Sequence, residues 1–381
     1  MLLSDQLIKP LNRKRIYICV TNDLVTDQRA DRTATFLYAK GHKVTLIGRY
    51  IPHFSLPVLR EYDTKRFRLL FRKGFLFYAT INMRLFFYLL TKRISLLVAN
   101  DLDTLLPCYL ISKLLCVPLI YDSHEYFTEV PELAGRKSVR NVWLGIERFL
   151  LPRIRFSMTV NESLAGIYRQ KYGITMEVVR NLPRYSEKRK GVPVNSTSTK
   201  PVILYQGALN KGRGLEGMIL AMNYLDGYEL QLIGDGDIRQ DLVKLASENR
   251  LEDRVKFPGR KPFHELAAIT TSASLGISLE EQAGMNYYYA LPNKLFDYIQ
   301  ARIPVLVSAF PEMKNIVETY RIGICLDNPS PQSIAIAARQ LIEDKALRAE
   351  WMGNLEKAAN ELCWEKEVHK LERLINTAQP L

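Results

Sequence analysis

The chain has 381 residues, of which 47% are hydrophobic and 24% are charged, and its formal net charge is +13 at pH 7. This composition excludes a largely disordered chain, and the length favours two domains over a single core. Residues 1–185 hold 29 Lys and Arg against 15 Asp and Glu, whereas residues 186–381 hold 24 against 25. The excess positive charge lies in the first half, which predicts that this half faces something anionic.

The cysteines are odd in number and scattered, and no two of them form a CxxC pair; they are Cys19, Cys108, Cys116, Cys325 and Cys363. Such cysteines are typical of small apolar core residues in a reducing compartment, and they argue against disulfides or a zinc site. The first ten residues contain no apolar stretch of the signal-peptide type. We therefore expect a cytoplasmic protein.

Apolar runs and helical segments alternate through the first half of the chain. The runs 16–20 and 44–47 flank a predicted helix that reaches Ala39, and two further runs, 95–99 and 118–121, flank another helical segment. Alternating strands and helices predict a mostly parallel sheet that is covered on both faces.

The segment 65–93 interrupts this rhythm. It is rich in aromatic residues and contains eight Lys or Arg but no acid. Asn82 and Arg84 interrupt its apolar stretch, which is too short for a transmembrane helix. A basic, aromatic segment can lie in the interface of an anionic membrane, and a core helix with a basic flank is the alternative. We predict peripheral contact with the inner face of the membrane.

A second half with the same rhythm follows a polar stretch. Residues 186–200 lack an apolar period, which predicts a linker. Strand-like runs then restart at 201–205 and recur up to 304–307. Two doubly wound domains joined here would leave a cleft between the carboxyl ends of two sheets, where ligands of open α/β sheets bind. We predict domains at 1–185 and 201–363.

Residues 290–308 are typical of a loop, a short helix and a buried strand. Pro292 favours a first helical turn, whose free N–H groups favour an anion. Lys294 adds a positive charge that suits a phosphate, and the Asp297 carboxylate can accept two hydrogen bonds from a ribose diol. These residues predict a nucleotide site; an ordinary capped helix is the alternative.

Two glycine-containing loops also follow predicted strands. In the loop 206–214, Gly207 and its neighbours let the backbone approach a phosphate, and Arg213 offers a planar fork for its oxygens. Gly234 begins a tight turn, for which turn formation alone is the alternative reading.

His124 follows the apolar run 118–121 and is therefore expected at the carboxyl end of a strand, facing the predicted cleft. A structural histidine fits this position equally well. The remaining histidines show no metal-ligand spacing, so no metal site is predicted.

The order and spacing of these segments resemble the family 4 (group 1) glycosyltransferases, which adopt the GT-B fold. The resemblance rests in the second half on residues 206–214, 232–237, 254–260 and 290–298. In the first half, residues 99–105 and 121–129 look like a bacterial polysaccharide or glycolipid branch of the family. The implied α/β fold has two Rossmann-like, doubly wound domains that face a central cleft.

The resemblance also implies an activity. A glycosyltransferase of this family would move a sugar from a nucleotide diphosphate sugar to a cell-surface polysaccharide or glycolipid acceptor, with retention and without a metal or cofactor. The second domain would bind the donor and the first the acceptor, and a last helix at about 364–381 would cross back to the first domain. No nucleic-acid partner is expected.

Individual residues acquire expected roles in the same way. His124 would contact the donor sugar, while Arg213 and Lys294 would stabilise the leaving diphosphate, so these three are the expected catalytic residues. Asp297 would bind the ribose, and the base would lie near Pro258. The full donor-binding set is Gly207, Gly234, Pro258, Gly259, Asn293, Lys294, Leu295 and Asp297. The acceptor-side residues are Asp23, Arg29 and Asp101.

Several positions depart from the pattern of the family. Tyr289 stands where the first acid of a Glu-x7-Glu pattern is expected, with Glu281 as the alternative acid, and Asp297 replaces the second. Ala208 stands where many relatives have Arg, and residues 21–29 replace a glycine-rich loop. Two alternatives stay open: a non-catalytic GT-B protein that binds glycan precursors or a partner enzyme, and a nucleotide-sugar 2-epimerase.

Overall fold

The computed structural model describes residues 13–25, 27–51, 59–130, 133, 135–187 and 200–378. The predicted linker lies almost wholly outside the described residues, so its boundaries stay a prediction. The predicted fold class is confirmed: within the described ranges, two parallel sheets form two α/β units.

The first sheet has seven strands in the order β3-β2-β1-β4-β5-β6-β7. The strands are β1 (Arg15–Asp23), β2 (Lys43–Arg49), β3 (Asp63–Phe67), β4 (Leu96–Asn100), β5 (Leu119–Ser123), β6 (Phe156–Thr159) and β7 (Glu177–Val178). The helices of this unit are α1 (Gln28–Ala39), α2 (Phe75–Leu90), α3 (Leu102–Leu114), α4 (Lys137–Leu150) and α5 (Glu162–Tyr172). The helix predicted to reach Ala39 does so.

The second sheet has six strands in the order β10-β9-β8-β11-β12-β13. They are β8 (Val202–Gln206), β9 (Glu229–Ile233), β10 (Val255–Gly259), β11 (Leu275–Ser278), β12 (Val305–Ser308) and β13 (Gly323–Leu326). The helices of this unit are α6 (Leu215–Ala221), α7 (Arg239–Glu248), α8 (Phe263–Ser272), α9 (Met285–Tyr288), α10 (Asn293–Ala301), α11 (Pro311–Tyr320), α12 (Pro331–Glu343) and α13 (Lys345–Glu361). The last helix of the chain is α14 (Trp364–Ala378).

The central strands of both sheets are buried along their length, because helices cover both faces. In each sheet the strand order reverses direction once, at β1–β4 and at β8–β11. Such switch points open a crevice beyond the carboxyl ends of the strands, and this is where an open α/β sheet binds its ligand.

Helix α14 follows the second unit in the chain but packs into the core of the first. Leu371 and Ile375 lie in one cluster with Ile16 and Ile18 of β1. The Trp364 N–H donates to the Pro183 carbonyl at 2.8 Å. The chain therefore crosses between the two units twice.

The basic segment 65–93 is divided in the structure. Its first residues belong to the edge strand β3, and α2 begins only at Phe75. The residues that α2 buries recur every four positions, at Phe77, Ile81, Leu85 and Leu89, as expected for one face of a helix. Among the described helices, none combines the length and apolar character needed to span a bilayer.

The loops after β8 and β9 touch so closely that a side chain does not fit between them. Gly234 has φ +149°, and a Cβ added there would lie 1.8 Å from the Gly207 carbonyl oxygen. Gly234→Ala is expected to lower the free energy of unfolding by about 1–3 kcal/mol, measured by urea unfolding. Gly166→Ala is the matched control, because Gly166 lies in α5 with nothing within 4 Å of the added Cβ. Equal stability of the two variants would contradict this packing.

Candidate active site

A cleft of about 550 Å³ lies between the carboxyl ends of the two sheets. Both units contribute to its walls, as expected if each sheet binds its ligand beyond the carboxyl ends of its strands. Its polar and charged lining includes Asn22, Asp27, Arg29, His124 and Glu125 from the first unit and Gln206, Arg213, Asn293, Lys294 and Asp297 from the second. The structure therefore brings the three predicted catalytic residues to one space.

Side-chain and backbone hydrogen bonds join the two units around this cleft. The Tyr126 N–H donates to Asn286 Oδ1 at 2.9 Å, and Asn161 Nδ2 donates to the Tyr289 carbonyl at 2.8 Å. Tyr289 itself lines the cleft at the position where an acid was expected. Hydrogen bonds thus hold the two walls of the cleft together.

His124 follows directly after β5, which extends two residues beyond the predicted strand. Its Nε2 lies 3.1 Å from both Asp122 Oδ2 and Asn100 Oδ1, and its Nδ1 lies 3.4 Å from Asp101 Oδ2. Burial lowers the pKa of His124, but the carboxylates of Asp101 and Asp122 outweigh it and raise the pKa to about 9. The ring is therefore an imidazolium at neutral pH.

Asp122 is a buried carboxylate that the sequence reasoning missed. Arg29 binds it in a bidentate pair, with Nε at 2.9 Å and Nη2 at 2.7 Å from its two oxygens. Burial raises the pKa of Asp122, but Arg29 and His124 lower it by more than burial raises it. Asp122 is therefore ionised. An acid at the last positions of an otherwise apolar strand was the available signal.

Two of the predicted acceptor-side residues have other contacts. Arg29 lines the cleft, but its third nitrogen, Nη1, donates to the Val179 carbonyl at 2.7 Å, so it mainly positions Asp122. Asp23 is buried and binds Arg66 Nη2 at 2.7 Å and the Ile51 N–H at 2.9 Å. Asp23 thus fixes the loop after β1 instead of facing a ligand, which corrects that expectation.

Asp101, the third predicted acceptor-side residue, is tied to His124. Its Oδ1 accepts the His124 backbone N–H at 2.8 Å, in addition to the ring contact of Oδ2. The residue has φ +58°, an uncommon value for a side chain other than glycine. Asp101 is therefore a positioning residue for the histidine.

Lys294 and Arg213 share one buried carboxylate, Glu280. Lys294 Nζ lies 2.7 Å and Arg213 Nη1 3.4 Å from Glu280 Oε1, while Ser278 Oγ donates to Oε2 at 2.8 Å. Burial raises the pKa of Glu280, but the two cations lower it below the ordinary value. This triad, Arg213–Glu280–Lys294, therefore carries a net charge of +1 on the cleft wall.

Aromatic rings complete the surroundings of both cations. Lys294 Nζ lies 4.2 Å from the centroid of Tyr205, and the Arg213 guanidinium lies 4.5 Å from that of Tyr287. Such contacts favour a cation in a partly desolvated site.

The alternative acid Glu281 is exposed and does not line the cleft, unlike the buried Glu280 of the triad. Sequence reasoning missed Glu280 because two adjacent glutamates follow β11 and only the structure distinguishes them.

Helix α10 presents its first turn to the cleft. Asp297 Oδ2 accepts a hydrogen bond from Gln206 Nε2 at 2.8 Å. Burial raises the pKa of Asp297 to about 6, and Arg32 and Gln206 only partly offset it. Asn293 Oδ1 accepts a hydrogen bond from Asn181 Nδ2 at 2.8 Å across the cleft. The side chain of Leu295 is fully buried in the core, and its place in the donor-binding set stays a prediction.

The predicted glycine loops lie side by side. The Gly207 N–H donates to the Ile233 carbonyl at 2.9 Å, and the Gly234 N–H donates to the Gly259 carbonyl at 3.1 Å. Gly207 lines the cleft, whereas Gly234, Pro258 and Gly259 lie beyond its lining residues. Across the described ranges, no cluster of three or more His, Cys, Asp and Glu side chains is arranged to hold a metal ion.

Two family models match the chain, one for each unit. The model described as Glycosyltransferase Family 4 matches residues 28–183, and the model described as Glycosyl transferases group 1 matches residues 187–358. The chain belongs to the family 4 (group 1) glycosyltransferases. In this glycosyltransferase the two matched regions correspond to the two sheets and meet at the cleft.

Individual relatives of this glycosyltransferase are distant in sequence. The alpha-D-kanosaminyltransferase of Streptomyces kanamyceticus is 24% identical over 260 residues, 63% of this chain and 65% of that protein. The lipopolysaccharide core biosynthesis glycosyltransferase LpsD of Rhizobium meliloti is 28% identical over 148 residues, 39% of this chain and 40% of that protein. The matches thus span less than two thirds of these curated relatives.

The fold is shared over the whole length of a solved structure. Anabaena Alr3699/HepE in complex with UDP-glucose superposes with a TM-score of 0.72 and 16% identity, over 97% of this chain and 100% of that chain. This likeness confirms the GT-B fold of the glycosyltransferase.

Proposed function

We propose that the protein is an enzyme that transfers a sugar from a nucleoside diphosphate sugar to a saccharide or glycolipid acceptor. The observation that carries the proposal is the Arg213–Glu280–Lys294 triad on the cleft wall. Its net positive charge suits a diphosphate, and Arg213 can bind two phosphate oxygens at once. The UDP-glucose complex of HepE supports a donor of this class.

The triad would act as the bond between C1 of the sugar and the diphosphate breaks. The electron pair of that bond moves to the phosphate oxygen, where Arg213 and Lys294 stabilise the growing charge. The two cations would supply this stabilisation without a metal. Asp297 would meanwhile hold the ribose through its carboxylate.

We propose that the transfer retains the configuration at C1. The acceptor hydroxyl would attack C1 from the face that the diphosphate leaves, and its proton would pass to the departing phosphate oxygen. His124 would bind a sugar hydroxyl on the opposite wall. Nδ1 would donate to the ligand, because its contact with Asp101 is the longest of the three contacts that the ring makes with Asn100, Asp101 and Asp122.

A non-catalytic binding protein is the second candidate, and Tyr289 in place of an acid is the observation that favours it. Incubation with nucleotide sugars and a glycolipid acceptor separates the candidates. A transferase releases the nucleoside diphosphate only as glycosylated acceptor appears, whereas a binding protein leaves the donor intact. An epimerase would release free sugar at the same rate without any acceptor.

The ionisation of Asp297 predicts how donor binding depends on pH. With a pKa of about 6, Asp297 is mostly ionised at pH 7 and mostly protonated at pH 5. Only the ionised carboxylate accepts hydrogen bonds from two hydroxyl groups. We expect the affinity for a nucleotide sugar to fall about tenfold from pH 7 to pH 5, measured by calorimetry. The diester phosphates of this ligand do not titrate there. Asp297→Asn is the control and should abolish the dependence; a wild-type affinity that stays constant would contradict the role.

We also propose peripheral contact with an anionic membrane at the inner face. The outer face of α2 exposes Phe75 at 78% and Phe87 at 63%, next to the exposed basic residues Arg68, Arg72 and Lys73. Apolar rings would enter the interface while each basic residue near the surface adds about 1 kcal/mol. Arg66 of the same segment does not contribute, because it is paired with Asp23.

Charge reversal tests this membrane contact. Changing Arg68, Arg72 and Lys73 to Glu should lower co-sedimentation with vesicles of one third phosphatidylserine by at least about tenfold. The matched control changes Lys345, Arg348 and Lys357 to Glu, which are exposed on α13 of the second unit. Equal binding of both variants would remove the assignment of this surface.

A further inference from the structure

A second cavity, of about 760 Å³, lies between α2 and α4 of the first unit. Asn22 and Glu125 line both this cavity and the 550 Å³ cleft, so the two spaces adjoin. We refer to it as the α2–α4 cavity. Its position places any occupant beside His124 and outside the donor-binding wall of the second unit.

The α2–α4 cavity has aromatic and aliphatic walls. The rings of Tyr78 and Phe127 each meet Trp143 edge to face, with centroids 5.0 Å apart in both pairs. Val142 of α4 lies at its opening and is 58% exposed. Such walls suit a sugar face or an aliphatic chain.

One buried carboxyl group in this cavity lacks a full set of partners. Asp103 is 6% exposed; Thr21 Oγ1 donates to its Oδ2 at 2.5 Å, but its Oδ1 is buried with no hydrogen-bond partner among the described residues. A buried oxygen without a partner is costly and calls for an explanation. Burial and the nearby Asp101 also raise the pKa of Asp103 to about 8. A hydroxyl group of a ligand in the cavity would satisfy this oxygen.

Cations lie at the solvent side of the same cavity. Arg72, Lys73 and Arg136 are all exposed and line it. Arg49 also lines it, and its Nη1 donates to the Arg72 carbonyl at 3.2 Å. The cavity therefore combines a buried carboxyl group, apolar walls and a basic rim, and that rim continues into the exposed face of α2.

We propose that the α2–α4 cavity is the acceptor site and that its occupant is an anionic glycolipid, a saccharide joined through phosphate to an aliphatic chain. A saccharide hydroxyl binds Asp103, the chain packs against Trp143 and leaves over the apolar face of α2, and the phosphate binds Arg72, Lys73 and Arg136. The proposal rests on the proposed function, because it names the acceptor class of the same enzyme.

Binding of defined probes to the full chain tests this site. The probe is glucosyl dodecyl phosphate below its micellar concentration, with glucose 1-phosphate and dodecyl glucoside as controls that lack the chain or the phosphate. We expect the probe to bind at least tenfold more tightly than either control. Equal affinities of the probe and dodecyl glucoside would mean apolar adsorption and would overturn the proposal.

Two variants locate the binding. Asp103→Asn and Trp143→Leu should each weaken the probe at least fivefold, without changing the affinity for nucleoside diphosphates. Asp241→Asn, an exposed acid on α7, is the matched control and should bind as the wild type does. Asp103→Asn is nearly isosteric, so it keeps the test valid if Trp143→Leu unfolds. Unchanged affinity in a folded Asp103→Asn variant would overturn the site.

The outcome also separates this inference from the proposed function. If nucleoside diphosphates bind and donor is consumed while the probe does not bind, only the acceptor assignment fails. If the probe binds while no nucleoside diphosphate does, the transferase proposal fails and the lipid site stands.

Discussion

Lys294→Met is expected to lower the rate of sugar transfer by about 10²–10³-fold, the usual cost of removing one charge-stabilising donor from an active site. Lys294 Nζ lies on the cleft wall, 2.7 Å from buried Glu280, and is the more sheltered from solvent of the two cations in the triad. Initial rates of nucleoside diphosphate release with acceptor present measure the effect. The affinity for the diphosphate should fall as well, whereas the affinity for the nucleoside alone should not.

Folding must be separated from catalysis in this variant. Without Lys294, the Glu280 carboxylate keeps only Arg213 at 3.4 Å and Ser278 at 2.8 Å. The double variant Lys294→Met with Glu280→Gln replaces the buried carboxylate, which has lost its partner at 2.7 Å, with a neutral amide and should regain stability but not transfer. Lys314→Met, at an exposed lysine of α11, is the matched control. Wild-type transfer by the folded double variant would contradict the role of Lys294.

Asp122→Asn is expected to lower the free energy of unfolding by about 3–5 kcal/mol, because it leaves the buried Arg29 guanidinium without its carboxylate. The same substitution at Asp63, which forms an exposed pair with Lys43 at 3.9 Å, should have no measurable effect. Urea unfolding of both variants at pH 7 measures the difference. Equal stability of the two would contradict the buried pair.

The pH dependence of this loss identifies the part that His124 contributes. Its pKa in the folded protein, about 9, is raised above the ordinary value, so its contribution is fully present below about pH 6.5. That contribution is lost as the pH rises through about 9. The stability gap between the wild type and Asp122→Asn should therefore narrow as the pH rises from about 6.5 to about 9 and stay constant above that, where only the part due to Arg29 remains.

The fold was predictable because the alternation of apolar runs and helices is a property of local sequence. The runs 16–20, 44–47 and 118–121 all became strands of the first sheet. The edge strand β3 was missed, because its residues 63–67 are mostly polar and charged and carry no apolar period. Residues 63–67 form a strand because they pair with β2, and their composition alone does not predict one.

The site was predictable where a residue type alone suggests the chemistry. Lys294, Arg213 and Asp297 come together in the cleft. Their residue types and their position near glycine-containing loops predicted this. Glu280 and Asp122 were not predictable, because each acts through a partner that is distant in the chain. Asp122, for example, binds Arg29, 93 positions away. Such pairings exist only once the sheet is assembled.

Titration of the full chain with UDP, GDP, ADP, CDP and TDP, followed by calorimetry, tests the central claim most directly. The triad of Arg213, Glu280 and Lys294 predicts that at least one of these ligands binds, and that Lys294→Met weakens that ligand at least tenfold. Absence of binding by all five, with a folded protein, would contradict the account.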